Sequence, residues 1–442
     1  MKEMEGFLTG RMWLGKHTPF PKEQLDDAIL TGKVRVSPGI IDGKQCVRCF
    51  EKSTQKIIPF FCAACQAICY YCRHCIKMGR VSSCTELITW ALPSIITPQN
   101  HSFFWNGSLT PLQERASREV QQSLLQDKDH LVYAVCGAGK TELLFPAIYA
   151  ALKKGLRVCV AAPRTDVVLE LSPRLRAVFP NTVIHSLYAN SPEEYGFASL
   201  VVATTHQLYR FEDAFDVMIV DEADAFPYSY DPALKRAVLK AKKEKAPIIY
   251  VSATPSDQLM KQVPNRSQLF RRFHGFPLPI PQFQSLWGYE KDFAKGRIPA
   301  KLIDWVDDKI DKEQPFLVFF PTIELIEKAI GLFKQRHPAI EAVHSKDADR
   351  KEKVIKLRQG QIPGVLTSTI LERGITIPNV QVAVVGADQP IFNAAALIQI
   401  AGRTGRSVDY PDGEVVFFHN GIVWQMDKAK KMIVSYNKEV RV

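Results

Sequence analysis

Long apolar runs are missing from this chain of 442 residues, and none approaches the ~20 residues needed to cross a bilayer as a helix. The opening M-K-E-M-E-G lacks the charged-then-apolar pattern of a signal peptide. The chain is therefore expected to be cytoplasmic, at most peripheral at the inner face of the cell membrane. No repeat of solenoid type is present, which excludes a stacked array. Cysteine is scarce outside one segment: eight of the ten lie between Cys46 and Cys84, leaving Cys136 and Cys159, which read as small structural residues. Clustered pairs in a cytosolic protein speak for a metal site and against a disulfide framework. Acidic residues are in deficit, 46 against 57 lysines and arginines, for a net charge of +11. That balance favours a polyanionic partner, the plain alternative being a solvated basic surface. An apolar fraction of 46% excludes a disordered scaffold, and the length fits about two or three domains.

What is present begins with an alternation that starts near Thr97. Apolar runs at Leu131–Val135, Val158–Ala162, Leu200–Ala203, Val217–Val220 and Ile248–Val251 predict buried parallel strands. Amphipathic stretches such as Glu142–Lys153 and Val167–Val178 predict the helices between them. A second alternation follows, with strands expected at Phe316–Phe320, Ala342–His344, Val365–Thr367, Val382–Val385 and Val415–Phe418. The proline-rich stretch between Arg271 and Trp287 reads as connection, with 276–287 as the linker proper. The expected organisation is an N-terminal domain over 1–98, with its cysteine module at about 44–86. Doubly wound α/β domains then occupy 99–275 and 288–442.

Four short segments in order carry the chemistry: A-V-C-G-A-G-K-T from Ala134, V-D-E-A-D from Val220, S-A-T from Ser252 and Q-I-A-G-R-T-G-R from Gln399. The first follows an apolar strand and precedes a helix, the context of a phosphate-binding loop. Gly137, Ala138 and Gly139 let backbone N–H groups turn toward a phosphate, Lys140 reaches the β- and γ-phosphates, and Thr141 binds Mg²⁺. Asp221 is placed to hold Mg²⁺ through water, and Glu222 to orient the attacking water. Gln399, Arg403 and Arg406 are expected to complete the site from the second domain, with Arg406 as the finger and Arg403 beside it on the γ-phosphate. The set predicts an ATP-driven motor acting on nucleic acid.

Cys46-x₂-Cys49 and Cys72-x₂-Cys75, about two dozen residues apart, have the spacing of a four-thiolate zinc site, with buried thiols or disulfides as the alternative. Cys62, Cys65, Cys69 and Cys84 remain, and the spacing admits either a second interleaved site or spare thiols. His74 reads as exposed or second to the ligands, and Tyr70 and Tyr71 as packing residues or stacking surfaces for bases. The run Lys235–Lys245 reads as a basic helix with a solvated face, or as a contact for DNA or an anionic membrane.

These residues resemble superfamily 2 helicases and translocases. More narrowly, the chain is similar to the ComFA family, late-competence DNA-uptake ATPases of Gram-positive bacteria. The narrow likeness rests on C-V-R-C at Cys46, C-Y-Y-C-R-H-C at Cys69, L-T-P-L-Q ending at Gln113, V-V-A-T-T-H-Q-L at Val201, D-E-A-D-A-F-P-Y at Asp221, R-R-F-H-G at Arg271 and T-I-L-E-R-G-I-T at Thr369. It implies two tandem RecA-like domains behind a small zinc-binding domain, with ATP, Mg²⁺ and Zn²⁺ as cofactors. By the same likeness Gln113 reads adenine. Pro163 and Arg164, with Thr204, Thr205 and His206, contact the strand backbone, and Ser252 and Thr254 couple hydrolysis to movement. Thr367, Thr369, Arg373 and Gly374 match the segment touching both strand and nucleotide, although Thr376 stands where many members have an acidic residue. The implied partners are single-stranded DNA, the membrane DNA-uptake channel, the phosphoribosyltransferase-like late-competence protein, a recombination mediator and further copies of the chain.

The implied activity is ATP-dependent translocation of single-stranded DNA during import of transforming DNA. The alternatives are a superfamily 2 helicase acting on RNA or replication-fork DNA, and a zinc-stabilised DNA adaptor whose ATP site is regulatory. The chain lacks the H-R-I-G-R-x-G-R form of RNA-directed DEAD-box proteins, which favours DNA.

Overall fold

The structure, a computed structural model, describes residues 1–93, 100–192, 194–373 and 376–439. Gly374 and the expected domain change at 98–99 lie outside the described residues. The chain packs as two compact units, Met1–Val132 with Thr141–Ser267, and Tyr133–Lys140 with Gln268–Val442.

The first unit opens with a small antiparallel sheet of β1 (Trp13–Leu14), β2 (Val34–Pro38) and β7 (Glu86–Trp90), in the order β1-β7-β2. Helices Lys2–Leu8 and Lys22–Leu30 cover it, and Met4, Phe7, Leu8, Trp13, Leu25 and Ile88 form its core. Inserted between β2 and β7 are two hairpins: β3 (Ile40–Ile41) with β4 (Gln45–Cys46), and β5 (Ile57–Cys62) with β6 (Ala67–Cys72). The insertion carries eight cysteines.

The α/β portion is built on β8 (His130–Ala134), β9 (Val158–Ala162), β10 (Ile184–Leu187), β11 (Leu200–Thr204), β12 (Val217–Val220), β13 (Ile248–Ser252) and β14 (Arg266–Leu269). Their order is β10-β11-β9-β12-β13-β8-β14, and β10 through β13 pair in parallel. Strands β8 to β13 are buried at every position, as a sheet covered on both faces requires. The helix Thr165–Val178 shows why these segments pack: Val167, Val168, Leu171, Leu175 and Val178 fall on one buried stripe.

Two buried cations from this α/β layer hold the N-terminal module through its main chain. Arg157 donates Nη1 to Thr9 O at 2.8 Å and Nε to Ala198 O at 3.0 Å. Lys240 Nζ donates to Arg48 O at 2.7 Å and Tyr209 O at 2.9 Å. Lys240 lies on the helix Pro232–Ala241, so the expected basic helix is shorter than Lys235–Lys245 and points one cation inward. Arg236 on the same helix pairs with Glu51 of the module at 3.8 Å.

The second unit carries an all-parallel six-stranded sheet of β15 (Gln282–Ser285), β16 (Phe316–Phe319), β17 (Glu341–Val343), β18 (Gly364–Thr367), β19 (Gln381–Val385) and β20 (Val415–His419). Their order is β15-β20-β19-β16-β18-β17. The expected linker 276–287 contains β15, an edge strand on β20 whose Phe283 stacks on Phe417 at 6.0 Å. Among the described residues no helix is long and apolar enough to cross a membrane.

Candidate nucleotide site and cysteine module

The phosphate-binding loop leaves the end of β8. Ala134 there is fully buried, which explains a small residue at the opening position. Gly137 and Gly139 have φ of +81° and +72°, a conformation that side chains other than glycine rarely take. A tight turn at Glu142–Leu144 follows, and the helix Phe145–Lys153 runs on with Pro146 in its first turn. Lys140 curls over the loop and donates Nζ to Ala134 O at 3.4 Å. Gln113 is buried in a capping box: its N–H donates to Thr110 Oγ1, and its Oε1 accepts from Thr110 N at 2.8 Å.

Asp221 follows β12 and is anchored by its N–H to Ala161 O at 2.8 Å. It lines one small cavity with Thr141, Val160, Leu171 and Leu175. The cavity's other walls are apolar, and Thr141 and Asp221 bring to it the residue types whose hard oxygen donors suit Mg²⁺. Glu222 has φ of +50°, left-handed for a residue with a side chain, and its N–H donates to Asp221 Oδ1 at 2.8 Å. Backbone outliers of this kind cluster at working sites.

Sequence reasoning missed Asp224, the last residue of D-E-A-D, as a structural hub. Its Oδ1 accepts from Ser252 Oγ at 2.6 Å and its Oδ2 from Thr254 Oγ1 at 2.7 Å. The acidic segment and the S-A-T segment are thus one hydrogen-bonded assembly. Asp224→Ala leaves the buried Ser252 hydroxyl without its charged acceptor, and unfolding in urea is expected to show a loss on the order of 2 kcal/mol. Just beyond stand Phe226 and Tyr230, both strongly exposed, with ring centroids 6.2 Å apart.

The expected strand-contacting residues divide by accessibility. Pro163 precedes Arg164, which is held bidentately by Asp166 at 3.1 and 2.9 Å at the start of the helix Thr165–Val178. Thr204 and Thr205 are buried and His206 is exposed. Thr367 is fully buried and donates Oγ1 to Val343 O at 2.9 Å, whereas Thr369 is half-exposed and opens a short turn capped by Ser368. Arg373 is buried with Glu372 at 3.5 Å.

Within the second unit, Gln399 lies on the helix Ala394–Ala401, and its Oε1 accepts from Cys136 Sγ at 2.9 Å. One turn on, a Cβ at Gly402 would sit 2.5 Å from the Cβ of Cys136, so only glycine fits. Arg403 is buried, and Arg406 is half-buried with Nε on Gly402 O at 3.1 Å. The loop between them is pinned by Arg272, which donates to Thr404 O at 2.7 Å and to Gly405 O, while His274 Nε2 meets Gly405 O at 3.1 Å.

In the cysteine module, the sulfurs of Cys46, Cys49, Cys72 and Cys75 lie within 4.8 Å of one another, all buried. Cys46 to Cys75 is 3.8 Å and Cys49 to Cys72 is 3.4 Å. A zinc tetrahedron with bonds of ~2.3 Å has sulfur–sulfur edges of about 3.8 Å, so the four thiols fit the ion. Hydrogen bonds from Cys46, Cys49 and Cys72, and then the Arg48 charge, pull the Cys75 thiol strongly toward thiolate. Arg48 Nε reaches Cys75 Sγ at 3.4 Å, and its other donors hold Met78 O, Cys75 O and Gly79 O. His74 pairs with Glu51 at 3.1 Å, outside the ligand set.

Comparison with known proteins follows these divisions. Residues 1–89 match the competence protein ComFA N-terminal domain, 106–257 the res subunit of type III restriction enzymes, and 298–408 the helicase conserved C-terminal domain. The structure of S. cerevisiae Dbp5 bound to RNA and ADP BeF3 is similar at TM-score 0.54 and 16% identity, over 74% of this chain and 92% of that one. RecG bound to a three-way DNA junction gives 0.53 and 17%, over 75% and 45%. Such likenesses establish the paired RecA-like fold, and with the matched domains they make the chain a helicase-like ATPase. Competence protein ComFA of Bacillus subtilis is 40% identical over 99% of this chain and 96% of its own length. Competence protein ComFA of Streptococcus pneumoniae is 40% identical over 84% and 86%. With that identity running through the cysteine module and both α/β domains, the chain belongs to the ComFA family of competence proteins.

Proposed function

We propose that the chain is an ATP-dependent translocase of single-stranded DNA that drives import of transforming DNA into the cytosol. What carries this reading is 40% identity with competence protein ComFA across 99% of the chain, joined to a complete set of hydrolytic residues. Lys140 and the amides of Gly137, Ala138 and Gly139 bind the ATP phosphates, and Gln113 reads the base. Thr141 and Asp221 hold Mg²⁺, which neutralises charge on the phosphates. Glu222 orients the attacking water. Arg406, with Arg403 and Gln399 beside it, stabilises the charge that develops on the transferred phosphoryl group.

Strand binding falls to exposed groups and backbone. The hydroxyls of Thr205 and Thr367 are buried, so those segments are assigned main-chain contacts to the DNA backbone, with Pro163 and Thr204 in the same role, while Gly374 is assigned to the nucleotide. His206, Thr369 and Arg164 supply the side-chain contacts, the last on release from Asp166. Phe226 and Tyr230 offer bases a stacking surface that ignores sequence. Ser252 and Thr254, tied to Asp224, pass the state of the acidic segment to the strand-contacting loops. The partners assigned with this role are the membrane DNA-uptake channel, met peripherally, the phosphoribosyltransferase-like late-competence protein, a recombination mediator and further copies of the chain.

ATP hydrolysis measured with no nucleic acid, single-stranded DNA, duplex DNA or RNA tests the reading. Stimulation specific to single-stranded DNA and absent in Lys140→Ala is the expected result. Equal stimulation by RNA or duplex would overturn the import role and favour a general helicase.

A further inference from the structure

The four cysteines outside the buried set come together as well. The sulfurs of Cys62, Cys65, Cys69 and Cys84 lie within 4.8 Å of one another, and Cys62 to Cys84 is 3.8 Å. That distance matches a zinc tetrahedron edge and is far beyond the ~2 Å of a disulfide. Chain geometry is consistent with a ligand knuckle. Cys62-Ala-Ala-Cys65 is followed by Gln66 at φ +51°, just as Cys46-Val-Arg-Cys49 is followed by Phe50 at φ +58°. In both, the left-handed residue after the second cysteine turns the chain away.

Strand β6 explains how two sites share one hairpin. Cys69 and Cys72 are three residues apart on it, an odd spacing that sends their side chains to opposite faces. Each face therefore contributes one ligand to a different cluster. Cys62 comes from the end of β5, and Cys84 from the segment before β7, where buried Ser82 Oγ approaches its sulfur at 3.4 Å. That segment is also laced to the hairpin by Ser83 N to Tyr70 O at 2.8 Å.

We propose that Cys62, Cys65, Cys69 and Cys84 hold a second zinc ion, which exchanges with solvent faster than the inner one. Cys65 and Cys84 are exposed, whereas all four inner cysteines are buried. The exposed pair gives a chelator its entry, and the inner cluster offers none. The outer ion fastens the tip of the β5–β6 hairpin to the chain that leads into β7.

The test is the zinc content of the full-length protein, purified without chelator and measured by inductively coupled plasma mass spectrometry. Two equivalents are expected, falling to one in Cys65→Ser/Cys84→Ser with the thermal unfolding of the α/β domains unchanged. Withdrawal of zinc from the unaltered protein by EDTA is expected in two phases of equal amplitude, which keeps the idea testable if the variant folds poorly. A single equivalent released in one phase, two equivalents retained by the variant, or a Cys62–Cys84 disulfide in the intact mass would each overturn it.

Discussion

Glu222→Gln is expected to lower ATP turnover by about 10²–10⁴-fold, the usual worth of a group that manages a proton in hydrolysis, with ATP binding intact. The amide keeps the size and shape of the side chain, and the backbone bond from residue 222 to Asp221 Oδ1 survives. Loss in kcat without a rise in KM is thus the signature of removing an interaction made in the transition state. The left-handed backbone at this position makes the test sharper, because a shape-conserving change leaves φ of +50° undisturbed. Lys140→Ala serves as the contrast: it removes a phosphate contact already present on binding, so KM rises as well. Equal kcat for Glu222→Gln and the unaltered protein, measured at saturating ATP, would remove Glu222 from the reaction.

The second large effect is on folding. Cys72→Ser is expected to unfold the segment between about Gly39 and Thr85 while the α/β domains survive, because structural zinc supplies on the order of 10 kcal/mol to small modules. Limited proteolysis should then cut within that segment, and added zinc should not protect it. The physical reason lies in what the inner cluster replaces: the hydrophobic core of the opening sheet reaches Val34 and Ile88, and the segment between them buries only a few apolar side chains, among them Ile40, Ile57 and Val81, beside the four inner sulfurs. The Arg48 guanidinium is held by Cys75 and by the carbonyls of Met78 and Gly79, so the loss spreads from ligand to loop. An unchanged digestion pattern would show that the hairpins stand without the ion.

The strands that the sequence announced are the apolar runs, nearly all buried at every position, with half-buried β17 the exception. Val217–Val220 is found as read, and Ile248–Val251 gains only Ser252. Those left unannounced are short and mixed: β10 is I-H-S-L, β14 is R-S-Q-L, and β15 hides behind Pro277, Pro279 and Pro281. In such strands a neighbour in the sheet decides what periodicity cannot. The site shows the same division. Gly-rich loop and acidic pair are local, so spacing reveals them. The bonds of Asp224 to Ser252 and Thr254 bridge 28 and 30 residues and emerge only when β12 and β13 lie side by side. Burial of Thr205 and Thr367, and the pairing of Arg164 with Asp166, are likewise facts of packing. Whether Cys62, Cys65, Cys69 and Cys84 meet depends on the register of β5 against β6, which linear spacing leaves open.

Arg157 and Lys240 grip the N-terminal module by the carbonyls of Thr9 and Arg48, groups that every amino acid possesses. These two bonds are blind to side-chain identity on the module's side, unlike the Glu51–Arg236 pair and the Arg11–His185 bond that stand beside them. Module side chains other than those of Glu51 and Arg11 are then free to drift without loosening these bonds, whereas the two cations are not free to change. Grafted from one relative to another, the module should dock where the receiving chain keeps an arginine at 157 and a lysine at 240 together with partners for Glu51 and Arg11.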